Sequence, residues 1–188
     1  MLCFASLQAG FQASGCVHAL WDYTVEDYLT FLVEHQFNSV RLPLSVQLIL
    51  ENGETNGLCG EYEGWATLDI LDDVVIRLQE AGIFVVLDIH TLEVDYNNGL
   101  WCEPNRQGQC TESEEAPLRE AWEVLATRYC SSPNVVGADL FNEPHDAFWG
   151  RGSSGTDWGL AAGRLGSHLL SHCPRWLILV EGVSNKMS

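Results

Sequence analysis

Positive charge is what this 188-residue sequence has least of: 9 Lys and Arg stand against 26 Asp and Glu, a formal net charge of −17. Such a chain is repelled by nucleic-acid phosphates and by anionic membrane surfaces, so a neutral or cationic ligand is expected and neither nucleic acid nor membrane is. No run of about 18 apolar residues is present, which excludes an encoded membrane-spanning helix. The N-terminal Met-Leu-Cys-Phe-Ala-Ser-Leu-Gln-Ala-Gly stretch has no basic n-region and only a short, interrupted apolar run, so it is not read as a signal peptide. There is no Asn-x-Ser/Thr glycan acceptor, no internal repeat and no low-complexity segment. The seven cysteines are an odd set without a Cys-x-x-Cys pair, which argues against a zinc ribbon or a redox dithiol. Cys102 and Cys110 bracket a short loop holding Pro104 and Gly108; a local disulfide and two reduced thiols are both open there.

What is present is a large apolar fraction, enough for one domain with a substantial core, and many aromatic residues. Aromatic rings on loops need a reason to be exposed, and neutral sugars supply one. Four runs rich in Val, Ile, Leu and Phe, at 37–42, 83–89, 135–141 and 177–180, read as buried strands. Helical stripes separate them: Leu68, Leu71, Val75 and Leu78 in one segment, and Leu118, Trp122, Leu125 and Tyr129 in another. Thr24 with Asp27 reads as a capping box opening a first helix, Gly82 as a helix stop, and 157–172 as a last helix halted by Pro174.

This alternation predicts an α/β fold with parallel strands, either a (β/α)8 barrel or an open doubly wound sheet. No Gly-x-Gly-x-x-Gly or Walker loop follows any strand, which removes the usual nucleotide sites. Polar residues instead close all four strands: Arg41, His90, Asn142 with Glu143, and Glu181. That favours a barrel, whose strand ends converge on one mouth. Four strands are half of what closure requires, so residues 1–188 read as one partial catalytic domain containing barrel strands two to five. The first strand and the last three are expected to be missing, and the isolated chain to be molten at its unpaired edges.

Cleaving a glycosidic bond takes two carboxyl groups, one to protonate the leaving oxygen and one to attack the anomeric carbon or activate water. Glu143, closing an apolar strand and expected in dry surroundings, is the candidate proton donor. Asn142 beside it can bond a sugar hydroxyl. Arg41 can hold a carboxylate ionised, and His90 can bond a hydroxyl or a neighbouring carboxyl. Trp21, Trp101 and Trp149 fall on loops where flat rings could stack on sugars, whereas Trp122, Trp158 and Trp176 read as core. The rival on these residues is a metal site built from Asp88, His90, Glu143, His145 and Asp146.

Several stretches together resemble glycoside hydrolase family 5, in particular bacterial-type endo-β-1,4-glucanases. They are His18-Ala19-Leu20-Trp21, Asn38-Ser39-Val40-Arg41-Leu42-Pro43, Val86-Leu87-Asp88-Ile89-His90, Gly137-Ala138-Asp139-Leu140-Phe141-Asn142-Glu143-Pro144-His145 and Val180-Glu181-Gly182-Val183. Ala19 stands where the family pattern has glycine. The resemblance implies a retaining endoglycosidase on a TIM barrel, needing no metal or cofactor and monomeric when complete. It would act on a β-linked polysaccharide or oligosaccharide. Glu143 would be the acid/base, with Asn142, His90, Arg41 and His18 around the cleaved sugar. The nucleophile it implies, a glutamate closing the seventh strand, would lie past residue 188, so the chain alone is expected to be inactive. Glu181 is expected to support the site. Secretion is implied by family habit alone, and a non-catalytic or degenerate carbohydrate-binding barrel fragment is the alternative.

Overall fold

Side-chain caps fix where the helices of this chain begin. In the computed structural model, which describes residues 4–6, 20, 22–55, 59–94, 98–151 and 155–183, the Thr24 hydroxyl accepts the Asp27 N–H at 3.2 Å while Asp27 Oδ2 receives the Thr24 N–H at 2.8 Å. This reciprocal capping box opens α1 (Val25–Glu34), as the sequence predicts. Ser45 caps α2 (Val46–Glu51) and Asp157 caps α5 (Trp158–His172), each accepting a backbone N–H of the first turn. Between them, α3 (Thr67–Glu80) is followed by Gly82 at φ 73°, a left-handed stop that a side chain would strain. The fourth helix, α4 (Ala116–Tyr129), carries proline in its first turn, where a missing N–H costs nothing.

The strands are β1 (Phe4–Ser6), β2 (Ser39–Ser45), β3 (Phe84–Thr91), β4 (Val135–Asp139) and β5 (Leu177–Leu179). They form one parallel sheet in the order β1-β2-β3-β4-β5. A doubly wound sheet reverses its order at a switch point; here each strand adds to the same side as the one before. With right-handed crossovers that winding keeps the helices on one face, as in a barrel wall, and it decides between the two architectures left open by the sequence.

The structure departs from the sequence reading at two points and adds an element at a third. The strand count is five, because Phe4–Ser6 pairs with β2 from Phe4 opposite Ser39 to Ser6 opposite Arg41. Three residues are too few for hydrophobic periodicity to register, so only pairing reveals β1. Second, β2 continues through Pro43 to Ser45, so Arg41 lies inside the strand and does not end it. Third, the apolar run after it is a separate six-residue helix, α2, set off by the Ser45 cap.

Strand residues alternate between two faces. Val40, Leu42 and Leu44 of β2 and Val85, Leu87 and Ile89 of β3 join Leu71, Val75, Leu118, Trp122, Leu125 and Leu165 in the helix-side core. The alternate positions therefore share the opposite, concave face: Arg41 on β2, and Val86, Asp88 and His90 on β3. A register shift after Val85 then sets Val86 beside Gly137 and Asp88 beside Asp139, which puts Asp139 of β4 on the same face. Disulfides Cys102–Cys110 and Cys130–Cys173 tie the β3–α4 loop and the C-caps of α4 and α5, and Cys59 is disulfide-bonded as well.

Candidate active site at the strand ends

Arg41 is the hub of the concave face. Its Nε donates to Asp139 Oδ2 at 2.9 Å and its Nη1 reaches Asp88 Oδ2 at 2.9 Å. Its Nη2 donates to both Asn142 Oδ1 at 3.0 Å and Glu181 Oε1 at 2.8 Å. One guanidinium thus binds three carboxylates and an amide drawn from β3, β4 and the segments after β4 and β5. Arginine suits this because its planar fork offers five donors in fixed directions.

His90, one turn of the pleat beyond Asp88, places Nδ1 2.7 Å from Asp88 Oδ2. A carboxylate accepts, so Nδ1 carries the proton and the Nε2 edge is left for other contacts. Asn142 follows β4; its N–H donates to the Ile89 carbonyl at 3.0 Å, continuing the sheet contact past the strand's last residue. Its side-chain oxygen is then held by Arg41, which fixes the amide orientation.

Glu143 departs from regular backbone. It sits at φ 45°, left-handed for a residue that has a Cβ and precedes proline, a conformation disfavoured on both counts. Contacts on both sides compensate: its N–H donates to Glu181 Oε2 at 2.8 Å, and its carbonyl accepts from His145 Nδ1 at 2.8 Å. Backbone strain of this kind persists where surrounding structure over-determines it, as at sites that must aim a side chain. The carboxyl itself is exposed, so the dry setting expected from its apolar strand is not found. The strand's apolar residues turn to the helix side and leave Glu143 at the open mouth.

Glu181 bridges the hub and the turn, one oxygen on Arg41 and the other on the Glu143 N–H. Its own carbonyl accepts the Trp158 indole N–H at 2.8 Å. Asp139 is the residue that sequence reading passed over. The available signal was an acid in a strand that is otherwise apolar, since a buried carboxylate demands a partner.

Asp88 and Asp139 are both buried, and neither Oδ1 has a hydrogen-bond partner among the described residues. Burial pushes the Asp88 carboxyl above the ordinary carboxylate range, against the pull of His90 and Arg41. Asp139 is pushed up to about 7, first by burial and next by the charge of Asp88 beside it. Two acids sharing one arginine in a buried place hold a proton more tightly than either would alone.

The loop tryptophans divide. Trp101 is fully buried, its ring centroid 5.1 Å from that of Trp158 and its indole N–H donated to the buried Glu115 at 2.9 Å. A sugar cannot stack on it, which corrects its placement on a binding platform. Arg164 completes this internal site by pairing with Glu115 at 2.5 Å. Trp149, in the loop after β4, is 54% exposed and keeps an accessible ring. Trp122, Trp158 and Trp176 are core, as expected. His18 and Trp21 lie outside the described residues. Of the rival metal ligands, Asp88 has one oxygen committed to both Arg41 and His90.

Comparison with known proteins places this arrangement. The family described as Cellulase (glycosyl hydrolase family 5) matches residues 6–187. The chain is 35% identical over 178 residues to an endoglucanase of Paenibacillus polymyxa, covering 91% of this chain and 43% of that protein. It is 34% identical over 183 residues to the major extracellular endoglucanase of Xanthomonas campestris pv. campestris, covering 94% of this chain and 36% of that protein. Among solved structures, a cellotetraose complex of an endocellulase from Pyrococcus horikoshii superposes with a TM-score of 0.84 at 32% identity, covering 96% of this chain and 51% of that one. The catalytic domain of the Xanthomonas enzyme gives 0.82 at 32% identity, covering 99% and 53%. The chain therefore spans less than half the length of these curated relatives and about half of these solved chains.

Proposed function

The chain belongs to glycosyl hydrolase family 5, and from that premise we propose that it carries the acid/base half of a retaining β-glycanase site. The substrate we assign is a β-linked glucan. The observation that carries the proposal is the convergence on Arg41. Separate strands bring Asp88 with His90, Asp139, Asn142 and Glu181 to one guanidinium, and Glu143 is locked beside them with its carboxyl free toward solvent.

In this reading Glu143 donates a proton to the departing glycosidic oxygen and later takes one from water. Asn142 has its oxygen held by Arg41, so its amide N–H₂ is the edge turned to a sugar hydroxyl. The free Nε2 edge of His90 serves the same purpose. Glu181 is a positioning residue, because both its oxygens are committed to Arg41 and to the Glu143 N–H. We therefore do not assign it the attack on the anomeric carbon; the second carboxylate is proposed to come from the part of the barrel that the longer relatives possess, and residues 1–188 alone to hydrolyse nothing. Support for a glucan comes from relatives described as endoglucanases and from a neighbour holding cellotetraose. The disulfides and the extracellular relative support secretion into an oxidising compartment. Among the described residues no helix is long and apolar enough to cross a membrane.

The test is Glu143→Gln in the protein carrying this chain within a whole barrel, assayed on soluble cellulose and on cello-oligosaccharides. Turnover should fall by about 10²–10⁴-fold, the range of general acid catalysis, with the substrate still bound. Unchanged turnover overturns the assignment. Binding without turnover in the unsubstituted protein would favour a sugar-binding barrel instead.

A further inference from the structure

The outer surface of α4 and α5 carries a cluster of ligating side chains that sugar cleavage does not use. Glu123 projects from α4, and His168 and His172 stand one helical turn apart on α5. One ligand atom from each of the three lies within 4.8 Å of the others. His168 Nε2 is 2.7 Å from Glu123 Oε1, and the two imidazole centroids are 4.7 Å apart. Helix geometry delivers this pair, since residues four apart stack on one face.

One ring already has the tautomer a metal requires. His172 Nδ1 lies 3.0 Å from the His168 carbonyl oxygen, which can only accept, so Nδ1 carries the proton and Nε2 keeps its lone pair. A backbone carbonyl on the remote nitrogen is the usual outer support of a metal-bound histidine. Ser171 Oγ donates to the same carbonyl at 2.6 Å and lies 3.3 Å from His172 Nδ1. All three ligating side chains are partly or fully exposed and can move without repacking the core.

We propose that Glu123, His168 and His172 form a binding site for a divalent transition cation, with zinc the occupant that fits best. Two imidazole nitrogens and one carboxylate match zinc, while calcium and magnesium require more oxygen ligands. Ligand atoms around a tetrahedral zinc at about 2.0–2.1 Å stand roughly 3.4 Å apart, so small side-chain rotations bring the three together, and water fills the fourth position. The ion takes the place of the hydrogen between His168 Nε2 and Glu123 Oε1, the ring shifting to its Nδ1–H tautomer. The ion would join the same two helices whose C-caps, Cys130 and Cys173, share a disulfide, adding a tie that does not depend on redox state.

The experiment is calorimetric titration of the purified whole-barrel protein with zinc chloride, with His35→Ala as a control outside the cluster. One saturable zinc per chain is expected, with His172→Ala and Glu123→Gln each weakening affinity by about 10-fold or more and the control unchanged. No saturable binding overturns the proposal, and so does wild-type affinity in the double variant His168→Ala/His172→Ala. Zinc-edge X-ray absorption of the unsubstituted complex needs no variant. It should show two imidazoles, and a shell without them also overturns the site.

Discussion

The two faces of the same strands obey opposite rules. On the helix side of β2 and β3, Val40, Leu42, Leu44, Val85, Leu87 and Ile89 are apolar and almost wholly buried. One residue over, on the concave side, the buried Asp88 and Asp139 crowd against the partly buried Arg41 and leave two carboxylate oxygens unpartnered. The first face is what burial free energy alone would choose. The second costs stability and is held only because Arg41 satisfies most of it. Local rules that fail where neighbours one position away obey them mark a surface kept for chemistry.

Removing the hub should break that balance most severely. Arg41→Met leaves Asp88, Asp139 and Glu181 facing one another without a cation, and stability should fall by about 3–5 kcal/mol. Leu87→Ala, between Val86 and Asp88 but on the apolar face, should cost about 3 kcal/mol by leaving a cavity. Urea unfolding of both variants in the whole-barrel protein measures the difference. An Arg41→Met protein as stable as wild type would mean that the concave charges do not depend on their arginine.

The next effect separates the faces by pH. Asp139 has a folded-state pKa pushed up to about 7, well above its ordinary value of 3.8. The folded protein therefore holds a proton that the unfolded chain releases, and the stability this gives is complete below about pH 4 and lost as pH rises through 7. Wild type should lose about 4 kcal/mol between pH 4 and pH 8 through this group. Asp139→Asn should flatten that slope, whereas Leu87→Ala should shift the whole curve without changing it. Parallel curves for wild type and Asp139→Asn would remove Asp139 as the titrating group.

Much of this was legible before any coordinates. Four strands, the Thr24 capping box, the Gly82 stop and the polar residues at the mouth all follow from local pattern, because periodicity and caps act over a few residues, whereas the pairing of Cys102 with Cys110 was left open until the fold brought them together. β1 was not legible, since a three-residue strand exists only through its partner. The misreading of Trp101 has the same origin: its loop position is local information, but its burial depends on Trp158 and Glu115, 57 and 14 residues away. Asp139 was hidden inside a run read as apolar, and only the register that sets it beside Asp88 reveals why an acid is tolerated there.

The smallest effect concerns the two loop tryptophans, which carry the contrast of faces outward. Trp149 leans over Gly159 at the start of α5, where a Cβ would meet its ring at 3.6 Å, yet it remains 54% exposed. Truncating it removes little buried contact, so Trp149→Ala should leave stability within about 0.5 kcal/mol of wild type. If its exposed ring meets a sugar, the KM for cello-oligosaccharides in the whole-barrel protein should rise about five-fold, near 1 kcal/mol, with kcat unchanged. Trp101→Phe should do the reverse: it leaves Glu115 without the indole donor, costs about 1 kcal/mol of stability, and leaves KM alone. An unaltered KM in Trp149→Ala would take that ring out of the binding platform. A raised KM in Trp101→Phe at constant stability would mean that a ring buried in the structure opens to substrate, and the separation of packing from recognition would then fail at its outer edge.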